Sequence, residues 1–408
     1  MRSTWTRAWF AALALALLAA ASPAGADVVT DANTKAAEIA SKAPGTPPAV
    51  RFMAITQVSV FEAVNAVTGK YPAFRAKMTP APGASVDAAV AAATRGALLK
   101  VMPGQQAAIE ADYQAALKAI PDGPARNAGI AAGEQAAAQI VQMCADDGFM
   151  APDSYRPHAA AGVYVPTMLP AVPHWGKRRP WVMTKADQFR PGPPPSLTSE
   201  TWTRDYNEIK AIGGKNSTVR TAEQTAIAKF WEATAPNVYW PVARSVTSRP
   251  GRDVTDNARL LAVAAMAMDD ALIAVFDAKY HYNFWRPVTA IRNGHDGNDA
   301  TTREPGWTPF IDTPMHPEYP CAHCIVSSSL GAVLAAEIGN GPSPTLSASS
   351  VTAQNAVRTW ATVNDFTQEV SVARIYDGVH YRNSTVVGSA MGKKIGELAV
   401  QNFPKPVK

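Results

Sequence analysis

The stretch from Asp256 to Trp285 is long, apolar and rich in Ala and Met, and Pro287 follows it directly. A helix is predicted there, capped by Thr255 or Asp256. Pro287 makes its continuation unfavourable. The helix delivers Lys279 and Arg286 at its C-terminal end, in the run Lys-Tyr-His-Tyr-Asn-Phe-Trp-Arg-Pro. Seven residues are close to two helical turns, so both cations are expected on one face. Cations suit a helix C-terminus, but burying two of them unpaired is costly. Something anionic should lie between them, and other parts of the chain should supply its remaining contacts.

With 408 residues, 47% hydrophobic and 17% charged, the chain can fill one large core or two smaller ones. Period-two strand signals are scarce. Helical periodicity is read over Thr34–Lys42, Arg51–Val67, Val86–Val101, Ala107–Ile120 and Ala125–Asp146, then over Thr201–Ile212 and Thr221–Ala233. Further helices are predicted over His323–Ile338, Ser350–Thr362, Thr367–Tyr376 and Ser384–Gln401. Thr221 and Gln224 have capping-box spacing. Gly148–Ser199 differs: it is rich in Pro, Trp, Tyr and His, and reads as a long irregular connection lying over a surface. Trp175 and Trp181 favour a packed wall of a site over a loose linker. No repeat of fixed period is present.

Arg2 and Arg7, the apolar run Phe10–Ala21 and Ala24-Gly25-Ala26 have the layout of a secretory signal peptide cut before Asp27. The mature protein is then expected in a periplasm or outside the cell, with no later stretch long and apolar enough to span a bilayer. Without Arg2 and Arg7 the formal charge falls from +5 to +3, a weak and dispersed excess that argues against nucleic-acid binding. Lys177-Arg178-Arg179, the densest basic cluster, reads as a solvated loop. Three cysteines (Cys144, Cys321, Cys324) do not make a disulfide framework, and Cys144 reads as a small buried hydrophobe.

Two further segments carry chemistry. In His316-Pro317-Glu318-Tyr319-Pro320-Cys321-Ala322-His323, Pro320 ends a loop and small residues open a helix, whose free N–H groups suit an anion. His323 in that first turn can act as acid or base. In Arg374-Ile375-Tyr376-Asp377-Gly378-Val379-His380, Gly378 breaks a helix, Arg374 offers a fork suited to oxyanions, and His380 is a ligand or nucleophile. Each alone reads as an ordinary surface or core residue. His316, Cys321, His323 and Cys324 could also hold zinc or copper, though Cys-Ala-His-Cys has poor spacing for either. A Cys321/Cys324 redox pair lacks the βαβ pattern of a thioredoxin-like site.

Together, Lys279-x6-Arg286-Pro287, Pro320-x2-His323 and Arg374-x5-His380 resemble the superfamily that joins vanadium-dependent haloperoxidases with type-2 phosphatidic acid phosphatases. The resemblance runs from about Lys279 to Ser384. Phe284-Trp285 and the all-helical, exported chain look more like the haloperoxidase side, in its soluble bacterial branch, which Asn207-Glu208 and Phe230-Trp231 also resemble. Four positions depart from the pattern: Cys321 stands for its Ser, Ala322 for its Gly, Ser384 for its distal Asp and Ala373 for the Ser before its Arg. Ala322 still offers a backbone N–H. Cys321 is a weaker donor than Ser and is oxidisable. Ser384 cannot orient His380 as a carboxylate would, and Asp377 is the substitute considered.

The resemblance implies an all-α architecture of one or two helical bundles. The chain is then expected to divide into a signal peptide (1–26), an N-terminal helical region with the Pro-rich loop (27–199) and a haloperoxidase/phosphatase-like catalytic region (200–408). The resemblance implies vanadate as cofactor, held by Lys279, Arg286, Cys321, Ala322, Arg374 and His380, with His380 bound to vanadium. His323 would shuttle a proton and Lys279 would polarise bound peroxide so that a halide attacks it. The implied partners are small molecules: peroxide, halide and an organic acceptor. As a phosphatase, the same cradle would hold phosphate, His380 would attack phosphorus and His323 would protonate the leaving alcohol. A transition-metal site, or an oxyanion binder with little turnover, ranks lower. Oligomeric state is left open, a homo-oligomer included.

Overall fold

Among residues 27–407, which the computed structural model describes, the chain forms thirteen α-helices and one β-hairpin. The expected signal peptide at 1–26 lies outside the described residues. The helices are α1 (Val28–Ala40), α2 (Thr46–Thr68), α3 (Val86–Val101), α4 (Gln106–Lys118), α5 (Pro124–Met143), α6 (Glu200–Ile212) and α7 (Ala222–Trp231). After them come α8 (Tyr239–Thr247), α9 (Val254–Tyr282), α10 (Pro287–Asn293), α11 (Ala322–Ile338), α12 (Val363–Tyr376) and α13 (Arg382–Asn402). The all-α expectation holds. Thr221 and Gln224 do form the predicted capping box.

The helix α9 runs through the middle of the core. Leu260 to Ala271 are buried without a break, Met266 and Met268 included. It packs against α2, α11 and α13, so one apolar cluster joins helices from both ends of the chain. Its cap is Asp253, paired reciprocally with Asp256, two or three residues earlier than the sequence pattern suggested. Its end is also earlier. Asn283 takes the left-handed conformation that closes many helices, and its N–H returns to Lys279 O. Arg286 is therefore not on the α9 face that carries Lys279. It sits beyond the helix in extended backbone, as the N-cap of α10.

Two other expectations change. The helix predicted over Ser350–Thr362 is the hairpin of β1 (Leu346–Ser350) and β2 (Ala356–Trp360). Leu346, Ala348 and Ser350 are buried alternately, the period of a strand. Gln354 and Asn355 both have positive φ, which turns the chain where a helix would have continued. α2 is long and apolar enough to cross a bilayer by length and composition, contrary to expectation, yet 94% of its most apolar window is buried within the protein.

The connection at 148–199 is a packed wall. Arg178, expected in a solvated loop, is buried, with Nη1 donating to Asp269 at 2.7 Å and Nη2 to Asp147 at 2.8 Å. Arg51 of α2 completes this network through Asp147 at 2.8 Å. Asp270 of α9 accepts the backbone N–H groups of Trp181, Val182 and Met183. Each of these buried charges thus has a partner, as a charge taken out of water requires, although burial still pushes the Asp270 carboxyl up to about 7.

The helices α11 and α13 pack closely, and glycine sets their distance. Cβ atoms built at Gly388, Gly392 and Gly396 would lie 2.6, 2.2 and 2.3 Å from the carbonyl oxygens of Cys321, Ile325 and Ser329. Three glycines at four-residue spacing thus let one backbone rest on another. Gly392→Ala is expected to cost about 1–3 kcal/mol of stability through overpacking. Gly306→Ala, where a Cβ meets nothing within 4 Å, should stay within about 0.5 kcal/mol of wild type. Urea unfolding of the two variants checks the contrast.

Candidate active site

Three elements deliver the site. The last turn of α9 carries Lys279, the loop before α11 carries His316 and Glu318, and the α12–α13 corner carries Arg374, Asp377 and His380. Gly378 makes that corner, with φ 79° and its own Cα against Gly213, so that no side chain fits there. The 148–199 wall borders the site: Tyr164 N–H donates to Asn283 O at 2.8 Å and Trp285 N–H to Gly162 O at 3.0 Å. Beneath it, Trp202, Phe284, Trp285 and Tyr381 form a second apolar cluster.

The cations are deeply buried. Lys279 Nζ donates to Pro317 O at 2.9 Å and Glu318 O at 2.8 Å. Arg286 donates from Nε to His316 O at 2.9 Å and from Nη1 to Val379 O at 2.8 Å. Arg374 Nη1 donates to Trp231 O at 2.8 Å and meets Asp377 Oδ2 at 2.5 Å. Asp377 is thus the partner of Arg374, which the sequence left unassigned, and not the carboxylate that orients His380. Burial, reinforced by Arg286 and Arg374, holds the Lys279 ammonium well below its ordinary range, and burial pushes Arg286 down to about 10.

Glu318 takes the place that the sequence reading offered to Asp377. Its Oε1 accepts from His380 Nδ1 at 2.8 Å and from Tyr381 N–H at 3.1 Å. Burial pushes its carboxyl up to about 7, against the pull of Lys279 and Arg286. Ser384 Oγ is 3.5 Å from the same ring nitrogen. The other nitrogen, Nε2, meets Arg286 Nη1 at 3.3 Å. Glu318 was in plain view in the second motif. The signal was the missing acid at 384, which requires that another carboxylate reach His380.

A cavity of about 230 Å³ opens on this cluster. His323, Arg374 and His380 line it together with His316 and Ala322. Leu272, Phe276 and Tyr239 form an apolar wall, and the exposed carboxylates of Glu232 and Asp312 also line it. Burial and the neighbouring cations hold both His323 and His380 well below the usual imidazole range, so both rings are neutral near pH 7. Lys279 and Arg286 stand one layer back, behind the carbonyls of the 316–318 loop and the His380 ring.

The donor set fits a tetrahedral oxyanion. Lys279, Arg286 and Arg374 face two carboxylates, Glu318 and Asp377, which leaves positive charge in a buried place. His323 Nε2 and Arg374 Nε are buried without hydrogen-bond partners. Ala322 and His323 are the first residues of α11, whose N–H groups have no acceptor within the helix. Cys321 does not contribute as expected. It is disulfide-bonded to Cys324, its Sγ accepts the Cys324 N–H, and its own N–H donates to Ser384 O. It has no donor left for an anion, and neither sulfur is a thiolate for zinc or copper. Among the described residues, no group of three or more His, Cys, Asp or Glu side chains is gathered for a metal ion.

Residues 259–408 match the VCPO second helical-bundle domain. The vanadium chloroperoxidase of Curvularia inaequalis is 28% identical over 184 aligned residues, which cover 37% of this chain and 30% of that protein. A bacterial vanadium-dependent iodoperoxidase shares the fold with a TM-score of 0.78 at 24% identity, over 92% of this chain and 96% of that one. The holo form of a bacterial vanadium-dependent chloroperoxidase gives 0.67 at 17% identity, over 90% and 95%.

The Arg374–Asp377 pair predicts a measurable effect. Asp377→Ala leaves a buried guanidinium without its countercharge and should cost about 3–5 kcal/mol. Saturating phosphate or vanadate should return part of that loss by supplying a negative charge. Urea unfolding with and without the anion measures both.

Proposed function

We propose that this relative of the vanadium haloperoxidase and type-2 phosphatidic acid phosphatase superfamily is a vanadate-dependent haloperoxidase that uses hydrogen peroxide to oxidise halide. The observation that carries the reading is the convergence of Arg374, His323 and His380 on one cavity, backed by Lys279, Arg286 and the start of α11. Phe276, Leu272 and Tyr239 on the opposite wall suit an apolar acceptor, while Glu232 and Asp312 oppose entry of a dianionic ester.

In this reading Lys279, Arg286 and Arg374 neutralise the oxyanion, and the Ala322 and His323 N–H groups donate to it. His380, through Nε2, would be the residue that holds the vanadium. Vanadate, when bound, supplies a Lewis-acidic centre that activates peroxide toward halide attack. His323 receives or returns a proton at its free Nε2. Two of the three ammonium donors of Lys279 go to carbonyls, so from behind the 316–318 loop Lys279 would act on what binds through its charge. The Cys321–Cys324 bond agrees with export to an oxidising compartment, periplasmic or extracellular.

The test is vanadate-dependent bromination or iodination of a phenolic or diketone probe, run beside phosphate-ester hydrolysis. Halogenation that needs vanadate and peroxide is expected. Ester hydrolysis without halogenation would instead assign the phosphatase chemistry, with His380 as nucleophile. His380→Ala should abolish vanadate binding and halogenation while the thermal midpoint stays close to wild type; unchanged turnover refutes the role. A pH titration of vanadate affinity adds a second check. Burial and the neighbouring cations hold His380 well below the usual imidazole range, so protonation of Nε2 should not weaken binding near pH 6.5. A fall in affinity around pH 7 should instead follow the Glu318 carboxyl, which burial pushes up to about 7, and disappear in Glu318→Gln.

A further inference from the structure

We infer that Glu318 is the positioning residue for His380, doing from the loop before α11 what a carboxylate at position 384 would do from α13. This deepens the proposed function and rests on it only for the ligand that His380 takes.

The argument is geometric. An ionised carboxylate only accepts hydrogen bonds, so with Glu318 ionised the 2.8 Å contact with His380 Nδ1 places the proton on Nδ1. The Arg286 guanidinium, which only donates, meets Nε2 at 3.3 Å and requires a lone pair there. Both neighbours select one tautomer, with Nε2 free to act as ligand or nucleophile. Glu318 is itself held: Oε1 takes the Tyr381 N–H at 3.1 Å, and Glu318 N–H donates to Phe284 O at 2.8 Å. The acid is fully buried and sits between Pro317 and the Tyr319–Pro320 pair, so it has little freedom to leave the ring. Ser384 cannot do the same. Its hydroxyl both donates and accepts, and stands 3.5 Å away. Its position is nonetheless within reach, so a longer acid there would meet the same nitrogen.

The experiment uses Glu318→Ala, Glu318→Gln and the double variant Glu318→Ala/Ser384→Asp in the full mature chain. Vanadate affinity is measured by equilibrium dialysis, and the His380 tautomer by 15N NMR of the vanadate-free protein. Glu318→Ala is expected to weaken vanadate binding about 10–100-fold, the usual effect of losing the partner of a ligating histidine, and to mix the two tautomers. Glu318→Gln, which keeps an acceptor oxygen and the side-chain volume, should fall between. Ser384→Asp in the Glu318→Ala background should restore the Nδ1–H form and at least tenfold of the affinity. A merely electrostatic role gives the opposite sign, because removing a negative charge beside three cations tightens anion binding. Unchanged or tighter binding, an unchanged tautomer, or a loss that Ser384→Asp leaves in place overturns the inference. If wild-type protein fails to bind vanadate, the oxyanion reading falls, and the tautomer measurement still decides the role of Glu318.

Discussion

Three buried cations with only two buried carboxylates govern this structure. Lys279, Arg286 and Arg374 are each at most 1% exposed, and the protein satisfies them mainly with backbone carbonyls from Trp231, His316, Pro317, Glu318 and Val379. Carbonyl dipoles solvate a cation but do not cancel its charge. The depressed ionisation of Lys279 expresses that imbalance. A bound oxyanion would reverse it, so the energy stored in burying like charges becomes affinity for an anion. The carbonyl contacts also fix the 316–318 loop over α9, so the cations shape the loop that brings Glu318 to His380.

Such a cluster needs rigid surroundings, and these come from small residues and ionic clamps. The glycine stripe of α13 brings the start of α11 against the His380 corner: Gly388 abuts Cys321 O, four residues beyond Ser384. On the other side, Asp269 and Asp270 of α9 pin the 178–183 segment, and that wall in turn holds the backbone at Asn283 and Trp285 beside Arg286. Neither device touches the cavity. Both fix how far the α9, α11 and α13 contributions stand from one another.

Much of this was legible in the sequence. The apolar periodicity of α9, the capping box of α7 and the order of the three motifs were enough for an all-helical fold and for residues that do meet. What escaped detection depended on side-chain partners or on backbone that breaks a pattern. Arg286 was placed on a helix because no sequence rule requires Asn283 to turn left-handed. The 346–360 hairpin was hidden because its buried positions include Ala348 and Ser350, which carry little strand signal. Arg178 looked solvated because its partners, Asp147 and Asp269, are 31 and 91 residues away. Partners at that separation become visible only when the chain is folded.

The departures at 321 and 384 make sense as one change. Cys321 N–H donates to Ser384 O, so the two positions already touch through the backbone. With the disulfide closed, position 321 gives no side-chain donor to an anion, and with Ser at 384 the α13 side gives no acid to His380. The loop before α11 makes good the second loss through Glu318, and the α11 N–H groups and Arg374 carry the first. A thiol beside an oxidant would be consumed, whereas a disulfide has already given up the electrons that such an oxidant takes first. An acid on the 316–320 loop leaves room for a small residue at 384, where α13 turns in against the start of α11. The substitutions thus move two functions onto neighbouring groups and leave the positive cradle itself in place.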